Sequence, residues 1–195
     1  MKRIILATHN DHKAIEVNNI LKGFEVVSLK QLGWTDEIVE DGLTFQDNAK
    51  IKVSAVAAKY PNDLILADDS GLAVNALNGD PGIHSARYAG NDRSSLALCN
   101  KLIEELSDVP RGKRNARFVT VLAYYHPENR DVNFFEGFVE GIISKGMIGE
   151  NGFGYDPIFY IESKGKTMAE LLPAEKDLIS HRYNALKSFK EYLEH

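Results

Sequence analysis

Four polar segments of the chain carry residue types at spacings that suit a phosphorylated ligand. The first, Thr8-His9-Asn10-Asp11-His12-Lys13, follows the apolar run Ile4-Ile5-Leu6-Ala7. A loop that leaves a buried strand and enters a helix presents backbone N–H groups and the positive end of the helix dipole, and Lys13 would add a formal charge to that anion site. The same residues also suit a plain helix cap by Asn10 or Asp11 with a solvated lysine, since the Gly-x-x-x-x-Gly-Lys of a P-loop is absent. His9 and His12 lack a third partner for zinc.

The second segment is Asp68-Asp69-Ser70-Gly71, which ends the apolar run Leu64-Ile65-Leu66-Ala67. Successive strand residues point to opposite faces, so the two carboxylates are expected to take different roles. One can reach a ligand, where a carboxylate beside phosphate oxygens is the usual Mg²⁺ ligand and can orient or deprotonate water. An Asx-turn closing a core strand is the alternative. Third is Asn151-Gly152-Phe153-Gly154-Tyr155-Asp156-Pro157. Here glycines let backbone approach a flat ligand and rings offer a stacking face, or the aromatics simply pack inward around a turn. Fourth is Lys176 with Ser180-His181-Arg182. Cations at a helix start oppose its dipole, so His181 and Arg182 require an anionic or electron-rich partner, which a ligand or an internal salt bridge would supply.

These segments sit at the junctions of regular elements. Lys2–Ala7 reads as a strand, and Ala14, Val17, Ile20 and Leu21 recur at helical spacing before Gly23. A second strand is expected near 25–29. Thr44, with Asp47 three positions on, opens a helix through Ala58. Leu64–Ala67 has the continuous apolar character of a central strand. Leu96, Cys99, Leu102, Ile103 and Leu106 mark another helix, followed by the basic stretch 111–117 and a strand over 118–125. Further strands are expected at 133–140 and 142–144, and Ser180 starts a last helix with Leu186, Phe189 and Leu193 on its apolar face. No linker interrupts the order, so residues 1–195 are expected to form one α/β domain, a mixed β-sheet flanked by helices.

Composition narrows the function. With 195 residues, 44% of them hydrophobic and 26% charged, the chain can bury a sizeable core. Its formal charge of −5 disfavours non-specific attraction to nucleic acid or anionic lipid, so a phosphate must be held locally. Cys99 is the single cysteine, which excludes an intramolecular disulfide and points to a cytoplasmic protein. No apolar stretch approaches the roughly 18 residues of a membrane span, and Met1-Lys2-Arg3 runs straight into Ile4-Ile5-Leu6-Ala7, too short for the apolar core of a signal segment. Leu193-Glu194-His195 could be the stub of a purification tag, and His195 is given no functional role.

Taken in order, Thr8-His9-Asn10-x-x-Lys13, Thr44-Phe45-x-x-Asn48-Ala49, Ala67-Asp68-Asp69-Ser70-Gly71-Leu72, Pro81-Gly82-Ile83-x-Ser85-Ala86-Arg87-Tyr88, Gly152-Phe153-Gly154-Tyr155-Asp156-Pro157 and Ser180-His181-Arg182 resemble the inosine triphosphate pyrophosphatase family. Within it they resemble the bacterial members that act on dITP and XTP. The likeness runs from Lys2 to about Leu193. It implies a Mg²⁺-dependent hydrolase that converts ITP, dITP or XTP to the monophosphate and pyrophosphate, clearing deaminated purines from the nucleotide pool. It further implies an elongated two-lobed fold with a central cleft, and a homodimer.

Carried over residue by residue, the resemblance gives Thr8, His9, Asn10, Asp11, His12 and Lys13 to the phosphate chain, with Lys52 beside them. Asp69 becomes proton acceptor and metal ligand, Glu40 a second metal ligand, and Ser70 a substrate contact. Phe153, Gly154, Tyr155, Asp156, Lys176, His181 and Arg182 form the base pocket. Two other functions share some of these features. A nucleotide sensor would use the same residues without turnover. A single-stranded nucleic acid binder would stack bases on Phe153 and Tyr155, against which the negative charge and the lack of a basic stripe both count.

Overall fold

The computed structural model describes residues 2–194; Met1 and His195, the latter weighed above as the end of a tag stub, lie outside them. In chain order the elements are β1 (Lys2–Leu6), α1 (Asp11–Ile20), β2 (Phe24–Ser28), α2 (Phe45–Lys59), β3 (Leu64–Val74), α3 (Ser95–Glu105), β4 (Asn115–Tyr125), β5 (Val132–Ile143), β6 (Phe159–Ile161), β7 (Lys166–Thr167), α4 (Pro173–Lys176) and α5 (His181–Leu193). The strands form one seven-stranded sheet in the order β2-β1-β3-β4-β5-β6-β7. β1 runs parallel to β2 and β3, whereas β6 is antiparallel to β5 and β7. The sheet is therefore mixed and the fold α/β with flanking helices, as the element order indicates.

Two strands are longer than their local sequence suggests. β3 does not stop at Ala67 but runs through Asp68-Asp69-Ser70-Gly71 to Val74, so the alternative of an Asx-turn there does not form. Leu72 and Val74 are fully buried beyond the polar residues, and that burial overrides the turn preference of the Asp-Asp-Ser-Gly stretch. Likewise the two short strands expected around 133–144 are one, β5, passing straight through Gly141. A Cβ at Gly141 would lie 2.6 Å from the Phe159 ring, so this glycine serves close packing of β5 on β6 rather than a turn.

The chain divides into two compact units. One comprises Met1–Asp69, Thr120–Gly137 and Arg182–His195. Its strands follow the two-residue period strictly. Ile5 and Ala7, Ile65 and Ala67, and Val121, Ala123 and Tyr125 pack with Ala49, Val53 and Val56 of α2. The alternate residues Ile4 and Leu6, Leu66, and Leu122 and Tyr124 pack with Val17 of α1 and with Ala185, Leu186 and Phe189 of α5. The other unit comprises Ser70–Val119 and Phe138–His181. Its core gathers Leu98, Cys99 and Leu102 of α3 with Leu72, Phe118, Ile143, Tyr155, Ile158 and Phe159. Cys99 is buried there, as its position on the apolar face of a helix implies, and burial pushes its thiol pKa up to about 12. Among the described residues no helix is long and apolar enough to cross a membrane.

Candidate active site

The alternation that builds the first unit's two cores also separates its two central carboxylates. Residues 64, 66 and 68 of β3 share the face covered by α1 and α5, and residues 65, 67 and 69 share the face covered by α2. Asp68 thus meets Lys13 from α1, with the ammonium 3.1 Å from Oδ2, and Arg182 from the start of α5, whose Nε and Nη2 donate to the same oxygen at 3.2 and 3.1 Å. The other arm of the guanidinium donates to Glu16 of α1. Burial alone would raise the Asp68 pKa, but Lys13 and Arg182 outweigh it and hold the carboxyl well below the usual carboxylate range. Burial lowers the Lys13 pKa against the pull of Asp68.

Asp69 points the other way, to α2. Lys52 Nζ lies 3.0 Å from Asp69 Oδ1 and 2.9 Å from Glu40 Oε2, bridging the two acids. Glu40 is brought there by the turn that precedes α2: the Gly42 amide donates to Asn48 Oδ1 at 2.9 Å, and a Cβ on Gly42 would come within 2.6 Å of Asp47 Cβ. Thr44 and Asp47 close the capping box that starts the helix. Burial raises the Asp69 pKa despite Lys52, while Asp69, Asp68 and Glu40 together raise the Lys52 pKa against its own burial. Asp69 Oδ2 is buried and accepts no hydrogen bond among the described residues.

The loop before α1 takes the form of a cap. Asn10 Oδ1 accepts from the amides of His12 at 2.9 Å and Lys13 at 3.3 Å, and Thr8 Oγ1 accepts from the Asn10 amide at 3.1 Å. An anion at this end would meet the helix dipole, Lys13 and the exposed side chains of His9 and His12, not the two amides that Asn10 already satisfies.

The second unit holds the aromatic loop. Asp156 Oδ2 accepts from the Phe153 amide at 2.8 Å and from Lys176 Nζ at 2.7 Å, and that ammonium lies 4.7 Å from the centre of the Phe153 ring. Of the two arrangements open to the loop's rings, Tyr155 takes the inward one: it is buried and donates its hydroxyl to the Ser85 carbonyl at 2.8 Å. His181 stacks on Phe118 with ring centres 4.9 Å apart, which supplies the electron-rich partner its helix position requires. Ser70 follows Asp69 along β3 and is half-buried.

The structure therefore assembles Lys13 with Asp68, Lys52 with Glu40 and Asp69, and Phe153 with Asp156 and Lys176. It gives Arg182 an internal salt bridge. Glu16, Asp68 as the holder of Lys13, and Asn48 were not singled out from sequence for these tasks. The available signals were a charged residue three after Lys13 beside the apolar Val17, and an Asn one turn into α2. Among the described residues no group of three or more His, Cys, Asp or Glu is placed to hold a metal ion.

Carboxylates on opposite faces of one strand, each paired with a lysine, are groups that can hold a cation or orient a water beside phosphate oxygens. The Ham1 family profile matches residues 4–192, and the chain belongs to the Ham1 family. It is 47% identical over 196 residues to the dITP/XTP pyrophosphatase of Bacillus subtilis (strain 168), covering 100% of this chain and 98% of that one. With the dITP/XTP pyrophosphatase of Leuconostoc mesenteroides it shares 45% identity over 195 residues, 98% of this chain and 96% of the relative. Among solved structures, the Staphylococcus aureus Ham1 protein superposes with a TM-score of 0.87 at 43% identity, covering 99% of this chain and 98% of that one. A HAM1 protein from Coxiella burnetii gives 0.88 at 38% identity, covering 100% and 99%.

Proposed function

We infer that the chain is a nucleoside triphosphate pyrophosphatase that hydrolyses the deaminated purine nucleotides ITP, dITP and XTP to the monophosphate and pyrophosphate. The observation that carries the chemistry is Asp69: Lys52 fixes one carboxylate oxygen while the other is buried and accepts no hydrogen bond among the described residues. Such an oxygen has a water proton or a cation as its natural partner.

In this reading Asp69 orients a water and takes its proton as the water oxygen bonds to the α-phosphorus. The bond from that phosphorus to the bridging oxygen breaks, and pyrophosphate leaves with the electron pair. Lys13 and Lys52, with Thr8, His9, Asn10, Asp11 and His12 around the start of α1, receive the phosphate chain. Ser70 contacts substrate beside Asp69. Phe153, Gly154, Tyr155 and Asp156, with Lys176 and His181, build the base pocket, while Arg182 serves it indirectly by fixing Asp68 and the start of α5.

Asp69 and Glu40 suit Mg²⁺. They are hard oxygen donors facing one ammonium, and two carboxylates completed by substrate phosphates are a common magnesium environment, for which no closed protein cage is needed. When bound there the ion would offset negative charge on the phosphates. The family likeness further supports residues 1–195 acting as one catalytic domain in a cytoplasmic homodimer. The net charge of −5 supports a small-molecule substrate over nucleic acid or membrane as partner.

Asp69→Asn tests the assignment. It preserves shape but removes the proton acceptor, and kcat for ITP is expected to fall about 10²–10⁴-fold with the far-ultraviolet circular dichroism unchanged. Near wild-type kcat in Asp69→Asn, with Asp68→Asn inactive, would reverse the roles of the two acids.

A further inference from the structure

Residues 152–156 are tied down almost residue by residue within their own unit. The Gly154 carbonyl lies 3.4 Å from Cys99 Sγ, Tyr155 is anchored to Ser85, and the Asp156 amide donates to the Phe153 carbonyl at 3.2 Å. Asp156 is only 3% exposed, and its Oδ2 is engaged by the Phe153 amide and by Lys176. That carboxylate occupies the space a side chain at position 152 would need. A Cβ built on Gly152 would stand 2.1 Å from Asp156 Oδ2, and Gly152 has φ +77°, a backbone conformation that residues with a Cβ rarely adopt.

We propose that Gly152 is a specificity-determining position and Asp156 a positioning residue: the gap at 152 admits the Asp156 carboxylate, which holds the Lys176 ammonium against the Phe153 ring as a fixed donor for a purine 6-oxo group. Asp156 acts on the base through Lys176, not by touching it. A donor locked in place favours a 6-oxo purine over a 6-amino purine, because an amino group there leaves the ammonium without an acceptor. A side chain at 152 must displace the carboxylate, and Lys176 and the Phe153 amide lose their common anchor together. The anchor is electrostatic, so removing its charge without changing its shape is expected to loosen Lys176 as well.

The inference rests on the base-pocket reading above, and the two reaction products separate them. Inosine monophosphate probes base recognition and pyrophosphate probes phosphate recognition, each measurable by calorimetry without turnover. Gly152→Ala and Asp156→Asn are expected to weaken inosine monophosphate binding about tenfold or more, the loss of one charge-assisted hydrogen bond, while pyrophosphate affinity stays within about twofold. The kcat/KM preference for ITP over ATP is expected to shrink by a similar factor. Asp156→Asn is nearly isosteric, so it keeps the test open if Gly152→Ala does not fold. Lys176→Met is the control. If it weakens inosine monophosphate binding while neither Gly152→Ala nor Asp156→Asn does, the proposal is overturned and the base pocket stands. If Lys176→Met also leaves binding unchanged, the base pocket itself is misassigned. Equal losses of inosine monophosphate and pyrophosphate would mark the loop as merely structural and overturn the proposal too.

Discussion

Arg182 shows how a single residue satisfies a demand visible in sequence. A guanidinium at the start of a helix needs an anion, and α1 and β3 supply two, Glu16 and Asp68, which with Lys13 make a balanced set of two acids and two bases. Removing one cation strands buried carboxylates, which typically costs about 3–5 kcal/mol. Arg182→Met is therefore expected to lower the unfolding free energy by about that much in a urea titration, and Glu16→Gln to lower it less, because Asp68 keeps its partners. An Arg182→Met protein as stable as wild type would show that the network carries no net stability. The opposed facing of Asp68 and Asp69 was legible, because a strand's period of two leaves no choice. That Arg182 would turn to Glu16 was not: position 16 lies among charged and apolar residues, and one helical turn in isolation does not show which face meets α5.

At the scale of elements, α2 is the part most plainly written in the chain. Thr44 and Asp47 form the expected capping box, and the helix they start carries both Asn48, which receives Gly42, and Lys52, which bridges Glu40 and Asp69. Thr44→Ala is expected to cost about 1 kcal/mol of stability, seen as a lower urea midpoint with an unchanged slope. Turnover at 25 °C should stay near wild type, since Lys52 lies well inside the 15-residue helix, beyond the turn that the cap closes. A variant of normal stability would show the cap to be redundant. The extension of β3 was hidden for the converse reason. Asp, Ser and Gly prefer turns locally, and only the burial of Leu72 and Val74, a tertiary fact, keeps the strand extended through them. Gly141 in β5 misleads in the same way, because its purpose is the Phe159 ring and that contact is distant in sequence.

For the molecule as a whole, the groups of the proposed function are distributed between the two units of the chain. The lysine-held acids belong to the first unit and the Phe153–Asp156 loop with Lys176 to the second, while Asp69 and Ser70, neighbours on β3, end one and begin the other. A chain of net charge −5 can attract a triphosphate only through such local cations, and Lys13 and Lys52 are both neutralised by carboxylates that a phosphate could replace as partners. The residues proposed for phosphate and base were picked out in sequence by the family resemblance of motifs at element junctions. Their internal wiring was not, because Lys176 and Asp156, or Lys52 and Glu40, meet only once the chain has folded. The most direct test of the central claim is turnover of ITP, XTP, GTP and ATP in ¹⁸O-water with mass analysis of the products. Rapid conversion of ITP and XTP, slow conversion of GTP and ATP, pyrophosphate as the co-product, and the label in the nucleoside monophosphate are expected. Orthophosphate and a nucleoside diphosphate as first products, or equal rates for all four nucleotides, would contradict the claim.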